Sequence, residues 1–318
     1  MTIVYTYRVY LKCTKYRYLT RTFKTLNYWL RKIFTSFNLL QANMPKSRSP
    51  SEKTIQNWIN KGLGQGSGLD YQPFFFVRDV PSRGRSAIVE GLKIKRKHHY
   101  LSDIEYAYHV LAEYSYSVIE IREHYALLPR EETLEIANEL GISHPVFTST
   151  GALRVQTSDL VLTVNNNGEQ SLSVLCCKVF PDIDPTNPKA FRTLEKILIE
   201  KVYWERRNIP WTLVTDDMIP QNKFRNLDQF RFTMLAHEID YLNRQTPEFL
   251  SIVHTNWSEQ ITLNQFISIA SKKLRIGSDD CFCLLGRAIW TKLLILNLDS
   301  TIIAHESFLP ELLKINKA

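Results

Sequence analysis

The sequence predicts an α/β domain with the element order helix, three strands, helix, strand, followed by a mostly helical C-terminal region. Apolar alternation predicts the three strands, and Asn-Asn-Asn-Gly at 165–168 is a strong hairpin signal between the second and the third. A long helical pattern over 189–208 then precedes a short apolar strand at 211–215. Short links favour antiparallel pairing of the first strands, whereas the long helix serves as the crossover to a parallel last strand.

Helical spacing of apolar residues predicts a first helix over 51–61. A second helix starts at Ser102 and presents one apolar face. The segment between these helices, 78–99, is rich in basic residues and is predicted to be a loop. The first three strands are predicted at 118–122, 154–164 and 170–179.

We predict three regions: a doubtful basic extension at 1–43, a core domain at 44–219 and a C-terminal domain at 220–318. Residues 1–50 hold ten Lys or Arg and no Asp or Glu, while the remaining residues hold thirty basic and thirty-two acidic side chains. The net charge of +8 therefore comes wholly from the N-terminal segment. Two interpretations of this segment remain open: an arm that contacts DNA phosphates, and a stretch upstream of a true start at Met44.

The C-terminal region is predicted to form four helices followed by two short strands. The predicted helices are 222–243, 246–253, 262–274 and 279–290, and the predicted strands are 293–298 and 301–304. Helices that end in a small hairpin are typical of a winged helix. The basic residues of this region are interpreted either as DNA contacts or as a solvated face.

Composition and cysteine spacing exclude several classes of protein. The chain contains no run of eighteen apolar residues, so we expect no transmembrane helix and no membrane partner. The five cysteines lack the C-x2-C spacing of a zinc site. Their sparse use is typical of a reducing compartment, and we predict a cytoplasmic location.

Two charged residues in the middle of predicted strands are candidates for a catalytic site. If Asn167-Gly168 forms a two-residue turn, residue 166 faces 169 and Asp159 falls opposite Cys176. Alternation then puts Lys178 on the same face of the sheet as Asp159 and diagonal to it. Phosphodiester hydrolysis needs a neutralised phosphate, an activated water and a stabilised leaving oxygen. Carboxylates that bind Mg²⁺ can supply these, and a lysine can help to orient or activate the water. An ion pair that only stabilises the hairpin is the alternative.

Glu105 is the third candidate, because it lies at the edge of the apolar face of the second predicted helix. From this position its carboxylate can lean toward a sheet that the helix covers. The alternative is a capping box formed by Ser102 and Glu105, in which the glutamate satisfies the start of the helix. Glu200, on the long predicted helix, is interpreted as a surface residue, and the alternative is that it borders the site.

A basic segment precedes the second predicted helix and is a candidate for DNA binding. If it lies beside a cutting site, its side chains can contact backbone phosphates; a solvated basic loop is the alternative. The candidate DNA-binding residues are Arg83, Arg85, Lys95, Arg96 and Lys97.

Several short motifs resemble those of TnsA-type transposon endonucleases. In the first half they are Gly-Gln-Gly at 64–66, Asp-Tyr-Gln-Pro at 70–73, Leu-Ser-Asp-Ile-Glu at 101–105, Ile-Arg-Glu at 121–123 and Leu-Leu-Pro at 127–129. In the second half they are Arg-Thr-Leu-Glu-Lys at 192–196, Tyr-Trp at 203–204 and Ile-Pro-Trp at 209–211. These motifs occur in the family's order between residues 51 and 219.

At the matching positions, the resemblance implies that Glu105, Asp159 and Lys178 are catalytic. It also implies that Glu105, Asp159 and the backbone carbonyl of Cys177 bind Mg²⁺, for which Mn²⁺ can substitute. One position departs from the family motif, which has Glu or Gln two residues before the lysine. This sequence has Cys176 there, and a neutral thiol is a poor ligand for Mg²⁺.

The resemblance further implies a restriction-endonuclease-like αβββαβ core and a metal-dependent DNA endonuclease that cuts the 5′ strands at transposon ends. Its expected partners are double-stranded DNA at those ends, a TnsB-type DDE transposase and a TnsC-type AAA+ ATPase, which the C-terminal domain would contact. Two alternatives remain open. One is a catalytically weak nuclease-fold scaffold, which Cys176 favours, and the other is a winged-helix DNA-binding subunit.

Overall fold

A computed structural model describes residues 49–80, 85–235 and 240–316. The predicted extension at 1–43 and the predicted DNA contact Arg83 lie outside these ranges. The helices are α1 (Glu52–Asn60), α2 (Asp103–Tyr114), α3 (Arg130–Glu139), α4 (Phe191–Glu205), α5 (Gln221–Arg231), α6 (Asp240–Asn256), α7 (Leu263–Leu274) and α8 (Ser278–Trp290). The strands are β1 (Ala87–Glu90), β2 (Lys97–Tyr100), β3 (Val118–Ala126), β4 (Thr157–Asn166), β5 (Glu169–Lys178), β6 (Trp211–Thr215), β7 (Leu294–Leu296) and β8 (Leu312–Ile315).

A four-stranded mixed sheet forms the centre of the core in the order β3-β4-β5-β6. The first three strands pair antiparallel, and β6 joins β5 in parallel after the crossover through α4, as predicted. One face of the sheet packs against α2 through a cluster that includes Ile104, Leu160 and Cys177. The other face packs against α3 and α4 through a cluster that includes Val161 and Ile199. The two helices and four strands predicted for the core therefore occur in the predicted order, with the additional helix α3 between β3 and β4.

The hairpin between β4 and β5 has the predicted register, because Asn166 pairs with Glu169. Asn167 and Gly168 both have positive φ, 55° and 95°, which is the backbone geometry of a type I′ turn. The Gly168 amide donates to Oδ1 of Asn165 at 2.8 Å and closes the turn. Turn and strands therefore specify the same pairing.

Two parts of the core differ from the sequence prediction. The basic segment predicted as a loop contains the hairpin β1–β2, in which Ala87 pairs with Tyr100. The first strand of the central sheet runs four residues beyond the predicted end at 122, and α3 follows it without having been predicted. At this end of β3, Arg122 and Glu123 are buried, and their side chains are hydrogen-bonded to Thr163 and Arg96. Because these buried residues are polar, the apolar alternation that predicts a strand is missing here.

The C-terminal region packs α5 to α8 around their own apolar core, which Val110 of α2 also enters. The helix predicted over 222–243 is wrong, since α5 ends at Arg231 and a 3₁₀ turn follows at Phe232–Met234. The predicted helix 246–253 is part of the longer α6, which continues through Pro247. Within the described ranges, the helices lack the length and apolar character needed to cross a membrane.

The small C-terminal hairpin pairs other residues than predicted. Strand β7 pairs with β8, and the predicted strand at 301–304 is wrong. Asn226 of α5 explains the difference: its side-chain amide donates to the carbonyl of Thr301, and its Oδ1 accepts from the Ile303 amide at 2.7 Å. The backbone groups of Thr301 and Ile303 are therefore bonded to α5 and are not available for pairing with a neighbouring strand. The winged-helix assignment of this region stays a prediction.

A buried ion pair joins α2 to α5. Nε of Arg231 donates to Oε2 of Glu113 at 2.7 Å, and Nε2 of His109 lies 3.3 Å from Oε1 of the same carboxylate. Burial by itself raises the pKa of Glu113, but His109 and Arg231 outweigh it and hold the pKa at about 2, below the ordinary 4.5. The pair ties the C-terminal helices to the core.

We expect this pair to make the protein less stable in acid. Because the pKa of Glu113 is depressed on folding, its stabilisation is complete above pH 4.5 and is lost as the pH falls toward 2. A shift of this size corresponds to about 3 kcal/mol. Urea unfolding of the wild type and of Glu113→Gln should differ most at pH 7 and progressively less toward pH 3. A difference that stays constant with pH would contradict this role of the carboxylate.

Candidate active site

Asp159 and Lys178 meet where β4 begins and β5 ends, as the predicted register required. Nζ of Lys178 donates to Oδ2 of Asp159 at 2.5 Å and to the carbonyl of Cys177 at 3.0 Å. The Cys177 amide donates to the same Oδ2 at 2.7 Å. The two side chains remain partly accessible, at 15% for Asp159 and 26% for Lys178, so a substrate can reach them.

Lys178 carries its proton in this setting. Burial alone would lower the pKa of Lys178, but the charges of Asp159 and Glu200 outweigh this and raise it well above its ordinary value. A protonated lysine can donate a hydrogen bond to water or to a phosphate oxygen and can neutralise negative charge. It is therefore a cationic donor at neutral pH.

Ser102 is the N-cap of α2, as predicted, and Glu105 binds it through a variant of the predicted capping box in which the Leu101 amide takes the place of the Ser102 amide. Oε2 of Glu105 accepts from the Leu101 amide at 2.9 Å, its Oε1 accepts from the Ser102 hydroxyl at 2.8 Å, and Oγ of Ser102 accepts from the Glu105 amide at 3.3 Å. Burial raises the pKa of Glu105 above its ordinary value, and the charge of Asp159 adds to the rise, while His124 opposes it. The Glu105 side chain therefore binds the start of α2 and also lies close enough to Asp159 to be affected by its charge.

Glu200 belongs to the same cluster, and its interpretation as a surface residue is wrong. Its side chain is buried, with 5% of the residue exposed, and its Oε1 has no hydrogen-bond partner within the described part of the chain. Burial, followed by repulsion from Asp159, raises the pKa of Glu200 to about 7. Helical periodicity placed this residue on α4, but only the fold showed that α4 covers the sheet at this point.

The cluster has the chemistry of a divalent-cation site. The carboxylates of Glu105 and Glu200 both lie near enough to Asp159 for its charge to raise their pKa values. A divalent cation would neutralise this excess negative charge, and Mg²⁺ prefers oxygen ligands. Among the described residues, no group of three or more His, Cys, Asp or Glu side chains could hold a metal ion. A cation at this place would have to be held by one or two carboxylates together with the Cys177 carbonyl and water, which is a common ligand set for Mg²⁺.

Cys176, the position that departs from the family motif, is fully buried. It packs with Ile183 and Ile197 beneath α4. Burial raises the pKa of its thiol well above the ordinary value, so the sulfur stays protonated and neutral. This residue therefore contributes packing where the motif provides an oxygen ligand.

Of the predicted DNA-binding residues within the described ranges, three are exposed and Arg96 is buried. Lys95 and Lys97 are exposed, and Arg85 is exposed and pairs with Asp103 at 3.1 Å. Arg96, by contrast, is buried, and its guanidinium donates to both carboxylate oxygens of Glu123, at 2.8 and 2.7 Å. This placement does not support a DNA contact by Arg96.

His124 is a residue of this region that the sequence analysis missed. It lies in β3 between the pairs Glu123–Leu160 and Tyr125–Ser158, and is therefore level with Asp159 across the ladder. Its Nε2 lies 3.7 Å from Oε2 of Glu105. The only available signal was a run of polar residues in a strand, which gives no hint of the active site.

Two comparisons with known proteins agree with the geometry. Residues 115–216 match the family described as TnsA-like endonuclease N terminal, a range that includes Asp159, Lys178 and Glu200 and begins after Glu105. The chain is 38% identical over 177 residues to the transposon Tn7 transposition protein TnsA of Escherichia coli. That match covers 55% of this chain and 62% of the relative's length. The predicted resemblance to TnsA-type endonucleases is confirmed.

Proposed function

On the premise that this chain carries a TnsA-like endonuclease domain, we propose that it is a metal-dependent DNA endonuclease that cuts the 5′ strands at transposon ends. One observation carries the proposal: Nζ of Lys178 contacts Oδ2 of Asp159 at 2.5 Å at the edge of the sheet. Two further buried carboxylates, Glu105 and Glu200, flank this pair. A purely structural ion pair would not require these two neighbours, since each adds a repulsive charge.

Glu105, Asp159 and the backbone carbonyl of Cys177 would hold Mg²⁺, with Mn²⁺ as a substitute. A bound cation would neutralise the phosphate and lower the pKa of a water molecule. Lys178 keeps its proton, so we assign to it the orientation of the attacking water and the neutralisation of the developing charge, and not proton abstraction. The first turn of α2 and the sheet hold these groups before DNA binds, because Glu105 is fixed by Ser102 and Leu101.

The substrate of this proposal is double-stranded DNA at transposon ends. The exposed Lys95 and Lys97 are candidates for phosphate contacts. Following the resemblance, a TnsB-type transposase would process the 3′ strands, and a TnsC-type ATPase would bind the C-terminal region. This last role is best tested in the full chain, because removing 220–318 also removes Arg231, the buried partner of Glu113.

Asp159→Ala should weaken Mn²⁺ binding and prevent cutting, because it removes the carboxylate on which Lys178 and the Cys177 amide converge. We expect the dissociation constant for Mn²⁺, measured by calorimetry on the full chain, to rise by roughly two orders of magnitude. The 5′ breaks on DNA that carries the transposon ends, mapped with Mg²⁺ and the cognate transposase and ATPase, should disappear. Asp184→Ala, in an exposed loop where the side chain accepts hydrogen bonds from Thr186, is the matched control and should leave both unchanged.

The same experiment separates nuclease from scaffold, the alternative that the buried Cys176 favours. If wild type and Asp159→Ala both support 3′ joining and neither produces 5′ breaks, the scaffold function is correct. Mn²⁺ binding that is equal in the two proteins would remove Asp159 from the ligand set.

A further inference from the structure

His124 has an unusual backbone for a residue in the middle of a strand. Its φ is 48°, in the left-handed region that residues other than glycine rarely occupy. Ile121 packs on the α2 side of the sheet, whereas Tyr125 packs on the opposite side. In a regular strand these two residues would share a face, so the alternation is inverted between them.

The surrounding structure holds this kink in place. The carbonyl of Glu123 accepts from the Tyr71 hydroxyl at 2.8 Å, and the carbonyl of His124 accepts from the Phe74 amide at 3.1 Å. Backbone strain of this kind persists only where several contacts enforce it, and it occurs preferentially at functional sites. The segment before the first hairpin therefore fixes a strained residue level with Asp159.

The kink buries the imidazole beside the candidate active site. His124 is 2% exposed, and its Nε2 finds no hydrogen-bond partner in the described portion of the structure. Oε2 of Glu105 lies 3.7 Å from this nitrogen. A buried polar nitrogen without a partner costs free energy, so its position beside the carboxylate requires a reason.

We propose that His124 is a positioning residue of this site, which orients the Glu105 carboxylate so that it can share a divalent cation with Asp159. The inference rests on the proposed metal-dependent function. Carboxylates that bind metals are themselves commonly oriented by hydrogen bonds from neighbouring groups. Ser102 and Leu101 bind Glu105 from the side of its own helix, and His124 approaches it from the sheet.

Two amide substitutions separate this role from a structural one, because the two roles predict opposite rank orders. Asparagine tolerates the left-handed backbone better than glutamine, but its amide is one methylene too short to replace Nε2. If His124 only fits the kink, His124→Asn should equal or exceed His124→Gln in thermal stability and in Mn²⁺ affinity. If His124 orients Glu105, His124→Gln should bind Mn²⁺ nearly as well as the wild type, and His124→Asn roughly tenfold more weakly.

Mn²⁺ binding by calorimetry on the full chain is the measurement, with thermal unfolding without metal as the check on folding. His144→Asn is the matched control, because His144 is also buried but bonds to Thr133 at 2.9 Å and to the Pro145 carbonyl at 3.0 Å. It should alter stability and leave Mn²⁺ affinity unchanged. Mn²⁺ affinity in His124→Asn equal to that of the wild type, with binding lost in Asp159→Ala, would overturn the role of His124 alone. A wild type that binds no Mn²⁺ would overturn the proposed metal site together with this role.

Discussion

Replacing Lys178 with alanine should reduce cutting at transposon ends by roughly 10³-fold while the protein stays folded. In the proposed mechanism, the positive charge of Lys178, which lies beside Asp159 and near Glu200, acts on the reacting phosphate and water. Its removal also frees Oδ2 of Asp159 from a competing contact at 2.5 Å. Mn²⁺ affinity should therefore be kept or should increase. Single-turnover cleavage and calorimetry on the same preparation measure the two effects.

Lys201→Ala is the control for loss of a lysine. Lys201 lies on α4, is 45% exposed and pairs with Glu205 at 3.5 Å, so its removal should change neither cutting nor Mn²⁺ affinity. Wild-type cutting by Lys178→Ala would exclude Lys178 from the reaction. Loss of both cutting and Mn²⁺ binding would instead indicate that the lysine is needed for the shape of the site.

Arg96→Ala should have the largest effect on stability, lowering the free energy of unfolding by roughly 3–5 kcal/mol. The Glu123 side chain is fully buried, and Arg96 binds both of its oxygens and also donates to the Ile121 carbonyl at 2.8 Å. Without Arg96, an ionised carboxylate remains in the core with His98 as its nearest remaining partner, at 2.9 Å. Urea unfolding at pH 7 measures the loss.

Arg206→Ala is the control, because Arg206 pairs with Glu139 in a solvent-exposed bridge, and exposed bridges of this kind contribute little to stability. A DNA contact by Arg96 makes a different prediction, namely wild-type stability with weaker DNA binding. The unfolding and DNA-binding measurements together therefore decide whether the basic segment at this point is part of the core or part of the DNA interface.

The local features of the sequence predicted the centre of the fold well. The Asn-Gly turn specifies its own backbone geometry, and this fixes the register of β4 against β5. Strand alternation then predicts that Asp159 and Lys178 share a face of the sheet, and no other part of the chain is needed for this prediction. The capping motif at Ser102 likewise specified where α2 begins, and with it the position of Glu105. The positions of Glu105, Asp159 and Lys178 could be predicted from the sequence because contacts between residues close in the chain fix them, at the start of a helix or across a hairpin.

Contacts between segments distant in the chain decided the rest. Periodicity predicts that Glu200 lies on a helix, but the packing of that helix over the sheet is what buries it. From the sequence, Arg96 is predicted to be a basic loop residue. In the structure it is buried against Glu123, which lies 27 positions later in the chain. Strand β7 similarly pairs with 312–315, because Asn226 already binds the nearer segment.

The sequence by itself therefore determined the order of the central strands and of the two helices α2 and α4, the hairpin register and the Asp159–Lys178 pair. Only the tertiary structure brought Glu200 and His124 to that pair and assigned Arg96 to the core. The physical reason is that charge and periodicity are properties of a segment, whereas burial and the partner of a charge depend on what other segments pack against it.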